Sequence, residues 1–413
     1  MSAGVVEDVW RRESAHVLAA LLHRYGDLGD CEDAAQEAAE AAARQWERDG
    51  VPDSPRGWLI RVASRRLIDR VRADGARAGR ENAVNAALPV DAHLSPAADQ
   101  APHDDGDDTL RLSLLCCHPS LTRSSQVALT LHAVGGLSTA QIAAAYLVPE
   151  RTMTQRLTRA RSTLRAAGAV FELPDQADLP ARIAAVLDVC HLMFTEGHTR
   201  STGAGLVDAP LADEAVRLTR QLHAAVPDHD EVAGALALML LTHARAAARA
   251  EDGDLVPLAE QDRSRWDREL ISEGVRILER VLPRGHVGRF QLQAAIAAVH
   301  AEAESPEATD WRQITLLYAM LARVAPSPAV TLNQAVALGM AFGPEHGLAL
   351  IGPLLDDPAM RRHHRTHAVR AHLLEMTGDL PGALDSYRQA ARLTASQPEQ
   401  RYLNTRIRRL DCG

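Results

Sequence analysis

The segment from Leu137 to Arg165, LSTAQIAAAYLVPERTMTQRLTRARSTLR, constrains the fold of this chain more than any other. Ser138 followed by Gln141 has the spacing of a capping box, in which the hydroxyl accepts from a first-turn amide and the Gln reaches back to the cap. Leu137 and Ile142 are spaced for a hydrophobic staple. The spacing therefore predicts a helix starting at Thr139. Leu147-Val148-Pro149 ends it, and Pro149 suits the first position of the next helix. There, Met153, Leu157, Ala160 and Leu164 recur on one apolar face. Arg151, Thr154, Gln155, Thr158 and Arg159 fall on the remaining faces. A short helix, a tight turn and a longer basic helix form a helix-turn-helix, whose second helix is shaped for the DNA major groove. Arg and Gln pair there with guanine and adenine. Arg156, Arg161 and Arg165 are expected on phosphates, which position without reading sequence.

Charge supports a polyanion partner. From Ser120 to Arg165 there are six Arg and one acid, Glu150, a net +5 in a chain whose net charge is −9. A second basic island, Arg56 to Arg80, has eight Arg and two Asp. Local basic patches in an acidic protein are the footprint of nucleic acid binding.

The second island belongs to an upstream helical unit. Trp10, Val17, Leu18, Leu21, Leu22 and Tyr25 mark one amphipathic helix, ended by Gly26 to Gly29. Asp30 is placed to cap the next, which runs through Gln36 and Glu37 to about Trp46. Ser54-Pro55 then opens a helix with Trp58, Leu59, Val62 and Ala63 inward. Trp58 serves either as core or, with the arginines, as a platform for unstacked bases.

These ordered motifs resemble the extracytoplasmic-function, or group four, sigma-70-type RNA polymerase sigma factors. Region 2 of that family carries Asp-x-Glu-Asp-x-x-Gln-Glu, here Asp30, Glu32, Asp33, Gln36 and Glu37. Its Pro-Arg-x-Trp-Leu-x-Arg-x-Ala run is here Pro55, Arg56, Trp58, Leu59, Arg61 and Ala63. Region 4 ends in a pattern matched by Val148, Pro149, Thr152, Arg156, Leu157, Arg159, Ala160 and Arg161. The resemblance implies that Asp30, Asp33, Gln36 and Glu37 face the β′ clamp of core RNA polymerase. It implies that Arg56, Trp58, Arg61, Arg65 and Arg66 lie at the opened −10 element. It implies that Glu150, Arg151, Thr154, Gln155, Arg156 and Arg159 read the −35 element, with region 4 at the β flap. Two departures stand out: Leu147 where the family's turn often has Gly, and Thr154 for a frequent Lys.

The expected fold class is all-α. Residues 1–73 are the region 2 domain, 74–108 an acidic linker without periodicity, 109–170 the region 4 helix-turn-helix domain and 171–413 a larger helical domain. Between Asp91 and Asp108 there are six Asp and no Arg. The linker is either a path through the polymerase or a solvated tether. Ala368 to Thr394, with Leu374, Gly378, Ala383, Tyr387 and Ala390, resembles one tetratricopeptide repeat, and Asn333 to Leu350 a weaker copy. The whole chain resembles the sigma subgroup with such a C-terminal extension, expected to modulate activity by contacting regions 2 and 4 within the chain.

Other features point away from catalysis. There is no Ser-His-Asp order, HExxH or phosphate loop, so no enzyme, cofactor or metal is expected. Cys116-Cys117-His118 lacks zinc-ligand spacing and reads as buried small residues. Glu196, His198, Asp262, Arg263 and Trp266 form either a cleft or capped loop ends, with the second favoured. His363 to His367 reads as a solvated helix face. No apolar run looks long enough to span a membrane and no leader pattern opens the chain, so a cytoplasmic location is expected. The competing class is a one-component helix-turn-helix regulator with a sensing helical domain.

Overall fold

The structure, a computed structural model, describes residues 3–81, 105–146, 148–199, 207, 209–251 and 253–411. Among its described residues the regular structure is helical apart from one antiparallel ribbon, Ala250–Glu251 against Asp254–Leu255. The chain divides into two compact units, Met1–Cys190 and His191–Gly413.

The first unit contains α1 (Ala3–Tyr25), α2 (Leu28–Asp49), α3 (Pro55–Glu81), α4 (Asp105–Cys116), α5 (Arg123–Ala133), α6 (Thr139–Ala145), α7 (Glu150–Ala166) and the start of α8 (Leu179–His198). Val17, Leu18, Leu21 and Leu22 of α1 are buried, as are Cys31, Ala35, Ala38, Ala42 and Trp46 of α2. Small residues along α2 let α1 and α3 approach closely. The N-cap of α2 is Asp27 rather than Asp30, its carboxylate accepting from the Asp30 amide at 2.9 Å. The helix starts earlier because Gly26, at φ +78°, turns the chain as soon as α1 ends.

The linker boundaries also shift. α3 continues to Glu81 and α4 begins at Asp105, so helix covers both ends of the segment assigned to a linker. Asp108 is drawn into structure by His23, 2.9 Å away, and Arg111. The rest of that segment, and the turn residue Leu147, lie outside the described residues.

The first unit extends past the boundary expected at residue 170. Arg123 of α5 donates to the Asp188 carboxylate at 2.6 Å and to the Ala185 carbonyl at 3.0 Å, both on α8. These ties keep the start of α8 with the helix-turn-helix.

The second unit adds α9 (Ala209–Ala225), α10 (Asp230–His243), α11 (Arg268–Val281), α12 (Arg289–Glu302), α13 (Trp311–Val324), α14 (Pro328–Phe342), α15 (Pro344–Leu354), α16 (Pro358–Arg361), α17 (His364–Thr377), α18 (Leu380–Leu393) and α19 (Gln397–Asp411). α10 is its central helix, with Val232 to Leu241 entirely buried. The segment 230–248 does reach the length and apolarity of a membrane span, against the sequence reading, yet two-thirds of it is buried inside the protein. A helix apolar on all sides is what the centre of a helical domain requires. Gly234 lets α12 approach: a Cβ there would lie 2.7 Å from the Gln291 amide nitrogen.

α17 and α18 form the helix pair expected from the repeat pattern. Gly378, at φ +84°, ends α17, and Asp379 caps α18 through the Gly382 amide. Ala371, Leu374, Ala383, Tyr387 and Ala390 pack together between them and α19.

Candidate functional site: two helical faces for DNA and polymerase

The helix-turn-helix is built as its sequence dictates. The Ser138 amide donates to Gln141 Oε1 at 2.8 Å, and the Gln141 amide donates to Ser138 Oγ at 3.2 Å. α6 accordingly starts at Thr139. Pro149 is the N-cap of α7 rather than its first helical residue, because its ψ of 140° is still extended. Met153, Leu157, Ala160 and Leu164 are buried against the unit's core. That packing leaves Glu150, Arg151, Thr154, Gln155 and Arg159 exposed along one surface, with Arg156 half-buried beside them. Thr154 bends back to the Glu150 carbonyl at 3.0 Å, so its hydroxyl is partly satisfied within the helix.

The second face lies on α2 and α3. Leu59, Ile60, Ala63 and Leu67 are the buried side of α3, while Val62 is only half-buried. Arg61, Arg65 and Arg66 are exposed, and Arg56 is tied to Glu13 at 2.7 Å. Trp58 is half-buried and meets Trp46 edge-to-face, with ring centroids 5.3 Å apart. It is therefore partly committed to the core and partly accessible. Asp30 and Asp33 are exposed, and Gln36 and Glu37 half-exposed. Arg70 bridges this acidic row, 2.8 Å from Glu37 and 3.6 Å from Asp33, and Arg66 lies 3.6 Å from Glu37. Exposed ion pairs of this kind are worth about 0–1 kcal/mol, so a partner's cations can replace them.

Two arginines go where the sequence did not send them. Arg161 Nε donates to Glu32 Oε2 at 2.5 Å, and Arg165 donates to Asp27 Oδ2 at 2.8 Å. The Glu32 side chain is only 3% exposed. Both were expected on DNA phosphates; both instead clasp the N-terminal turn of α2. Burial works against charge on Asp27, but the Asp30 amide and Arg165 outweigh it and hold its carboxyl below the usual range. On the opposite side, Trp10 Nε1 donates to the Gly136 carbonyl at 3.1 Å. The helix-turn-helix is thus packed against α1 and α2 within one unit.

The thiols are structural. Cys31, Cys116 and Cys117 are buried, and burial pushes Cys31 up to about 12 and Cys117 up to about 11. Among the described residues no cluster of His, Cys, Asp and Glu has metal-binding geometry.

With both faces in view, comparison with known proteins is decisive. Residues 9–77 match the Sigma-70 region 2 family and residues 111–164 the Sigma-70 region 4 family. The chain belongs to the extracytoplasmic-function sigma factors. The sigma factor is 33% identical to the probable ECF RNA polymerase sigma factor SigI of Mycobacterium tuberculosis, over 38% of this chain and 53% of that one. It is 32% identical to the ECF RNA polymerase sigma factor SigK of Mycobacterium ulcerans, over 34% of this chain and 72% of that one. An uncharacterized protein of Rhizobium meliloti, R00370, is 41% identical over 94% of this chain and 92% of its own. Residues 182–282 match a family of unknown function, DUF6596, so the helical extension is shared beyond this sigma factor. No solved structure matches the chain significantly.

In the extension, the five residues weighed as a cleft separate. His198 is 5% exposed, stacks on Phe194 and meets Arg249; burial, then Arg249, hold its imidazole down at about 2. Asp262 caps a short turn through the Ser264 amide, and Arg263 donates to the His300 and Ala303 carbonyls, both at 2.8 Å. Glu196 is half-buried on α8. His198, Asp262 and Arg263 are packing and loop ties, as favoured. Trp266 is different, because it walls a cavity with residues that sequence reading did not select. Only part of the His363 to His367 segment is a solvated face, with His363 and Arg365 exposed. His364 pairs with Glu399 at 2.8 Å, Thr366 is fully buried, and His367 bonds the Arg361 carbonyl. Packing of α14, α15 and α16 on α17 accompanies the burial of Thr366 and His367.

Proposed function

We propose that the sigma factor directs core RNA polymerase to promoters through the two exposed faces described above. The exposed row Glu150, Arg151, Thr154, Gln155 and Arg159 reads the −35 element, with Arg156 on the adjoining phosphate. Arg56, Arg61, Arg65 and Arg66 hold the opened −10 element beside the accessible part of Trp58. Asp30, Asp33, Gln36 and Glu37 engage the β′ clamp, and region 4 rests on the β flap. The protein acts where the polymerase is, in the cytoplasm. The observation that carries this reading is the split of α7 into a fully buried apolar face and an exposed polar one.

The packed first unit adds a requirement. The two elements are about 25 base pairs apart by their names, or about 85 Å at 3.4 Å per pair. With α7 clasped to α2, the two readers cannot span that distance. Engagement of both elements therefore breaks the Arg161–Glu32 and Arg165–Asp27 pairs. The C-terminal unit modulates this step by contact with regions 2 and 4 in the same chain.

Run-off transcription with purified core polymerase at fixed salt tests the reading. Specific transcripts are expected, and Asp33→Ala with Gln36→Ala, or Arg159→Ala, should remove them. Unchanged transcription in both variants refutes the assignment. Removal of the extension should be made after His198, not at Pro174, since the earlier cut discards Asp188 and its tie to Arg123. Unaltered output from that truncation would refute the modulating role.

A further inference from the structure

The second unit contains a cavity of about 540 Å3, within the size range of small-molecule sites. It lies between α8, the end of α10, α12, α13 and the first turn of α14. Leu238, Leu241, Ile296, Leu321 and Val330 supply the apolar part of its walls. Arg245, Trp266, Gln293, His300, Tyr318 and Asn333 supply its polar groups. No carboxylate is among the described lining residues.

Arg245 is the fixed cation of this cavity. Burial alone draws its guanidinium down to about 10, with no acid nearby to offset it. The histidines add no charge at neutral pH. Burial, then Arg245 and Arg263, push His300 down to about 4, and burial lowers His191. Burial raises Tyr318 to about 12, so its phenol stays a neutral donor. Trp266 is 4% exposed and its indole N–H lacks a hydrogen-bond partner. Neighbouring Arg249 is occupied by His198 and the Thr199 hydroxyl. Ser327, the N-cap of α14, also borders the cavity and turns that helix's positive end toward it.

A half-buried cation without a paired anion is unfavourable, and the cavity beside it gives an anion somewhere to bind. We infer that this cavity is a binding site for a small organic monocarboxylate, its charge on Arg245 and its apolar body against the leucines and Ile296. The single free guanidinium suits one negative charge better than phosphate, which would call for a second cation. The apolar part of the wall accommodates a branched or aromatic body.

The test uses the full chain, titrated calorimetrically with phenylacetate and 4-methylpentanoate, their neutral amides, and inorganic phosphate. The carboxylates should bind, and the amides roughly tenfold or more weakly. Arg245→Met should abolish carboxylate binding while leaving the melting temperature of the unliganded protein unchanged or raised, because an uncompensated charge is removed. Ala297→Phe, which fills the cavity while keeping Arg245, should abolish binding too. Ala297 is half-buried on the cavity wall, so this variant also decides the matter if Arg245→Met does not fold. The inference is overturned by no carboxylate binding at millimolar concentration, by equal binding of the amides, by binding of phosphate alone, or by binding that survives Ala297→Phe. None of these outcomes depends on polymerase or promoter.

Discussion

Gln155 and Arg159 contribute nothing to the core, since both project from the exposed face of α7. Replacing either with Ala should change stability by less than about 0.5 kcal/mol. The same changes should cost about 1–3 kcal/mol of discrimination at one base pair each, read as relaxed promoter preference in run-off transcription. Loss of folding would instead mark these residues as structural. Titratable groups in the extension behave oppositely, because their effect is on stability. His300 is held down at about 4, against an ordinary value of 6.5. It is neutral when folded, so below pH 6.5 the unfolded chain takes up the proton first and stability falls until about pH 4. Glu399 is held at about 2: burial opposes this, but His364 and Arg365 outweigh it. Its contribution is complete above the ordinary carboxylate range and disappears as pH falls toward 2. Thermal melting of the full chain should therefore decline from pH 7 to 4, by an amount on the order of 3 kcal/mol from His300 alone. His300→Gln should flatten that decline between pH 6.5 and 4, and an unchanged slope would contradict the assignment.

At the scale of single helices, local chemistry decides most of the outcome. The Ser138–Gln141 capping box, the Ser54-Pro55 start and the apolar row Met153, Leu157, Ala160 and Leu164 were all legible, because partners three or four residues apart meet in any helix. Ser138→Ala should remove one of two reciprocal bonds and cost about 0.5–2 kcal/mol, measured by urea denaturation of the first unit's transition. The errors are equally local in origin. Asp27 and Asp30 are both competent caps, and only the turn at Gly26 chose between them. The ends of the acidic segment carry no apolar period, yet α3 runs on to Glu81 as a continuation of a helix already nucleated.

At the scale of the molecule, the clasp between α7 and α2 is the feature with the largest consequence. Glu32 is buried and accepts from Arg161, and a charge-assisted bond of this type is worth roughly 1.5–3 kcal/mol. Glu32→Gln keeps the shape but weakens the bond, and it leaves the proposed DNA-reading residues untouched. The variant should shift the first unit toward a more open form, seen as a larger radius in X-ray scattering. It should also raise run-off transcription at a given salt concentration. An unchanged radius with unchanged transcription would show that the clasp does not limit promoter engagement.

The order of the helices, the two basic islands, the family motifs and the repeat-like pair near the end were written in the sequence, because each depends on neighbours within a few residues. The clasp depends on Arg161 and Glu32, 129 positions apart. The cavity needs His191, Arg245, His300 and Tyr318 from four different helical segments. The burial of Thr366 and His367 shows up only once the chain around α17 has folded back on it. Such contacts follow from which apolar stripe packs on which, and helical periodicity marks a stripe without naming its partner. The tertiary structure alone made that choice, and with it decided which arginines stay exposed, which are held, and which one lines the cavity.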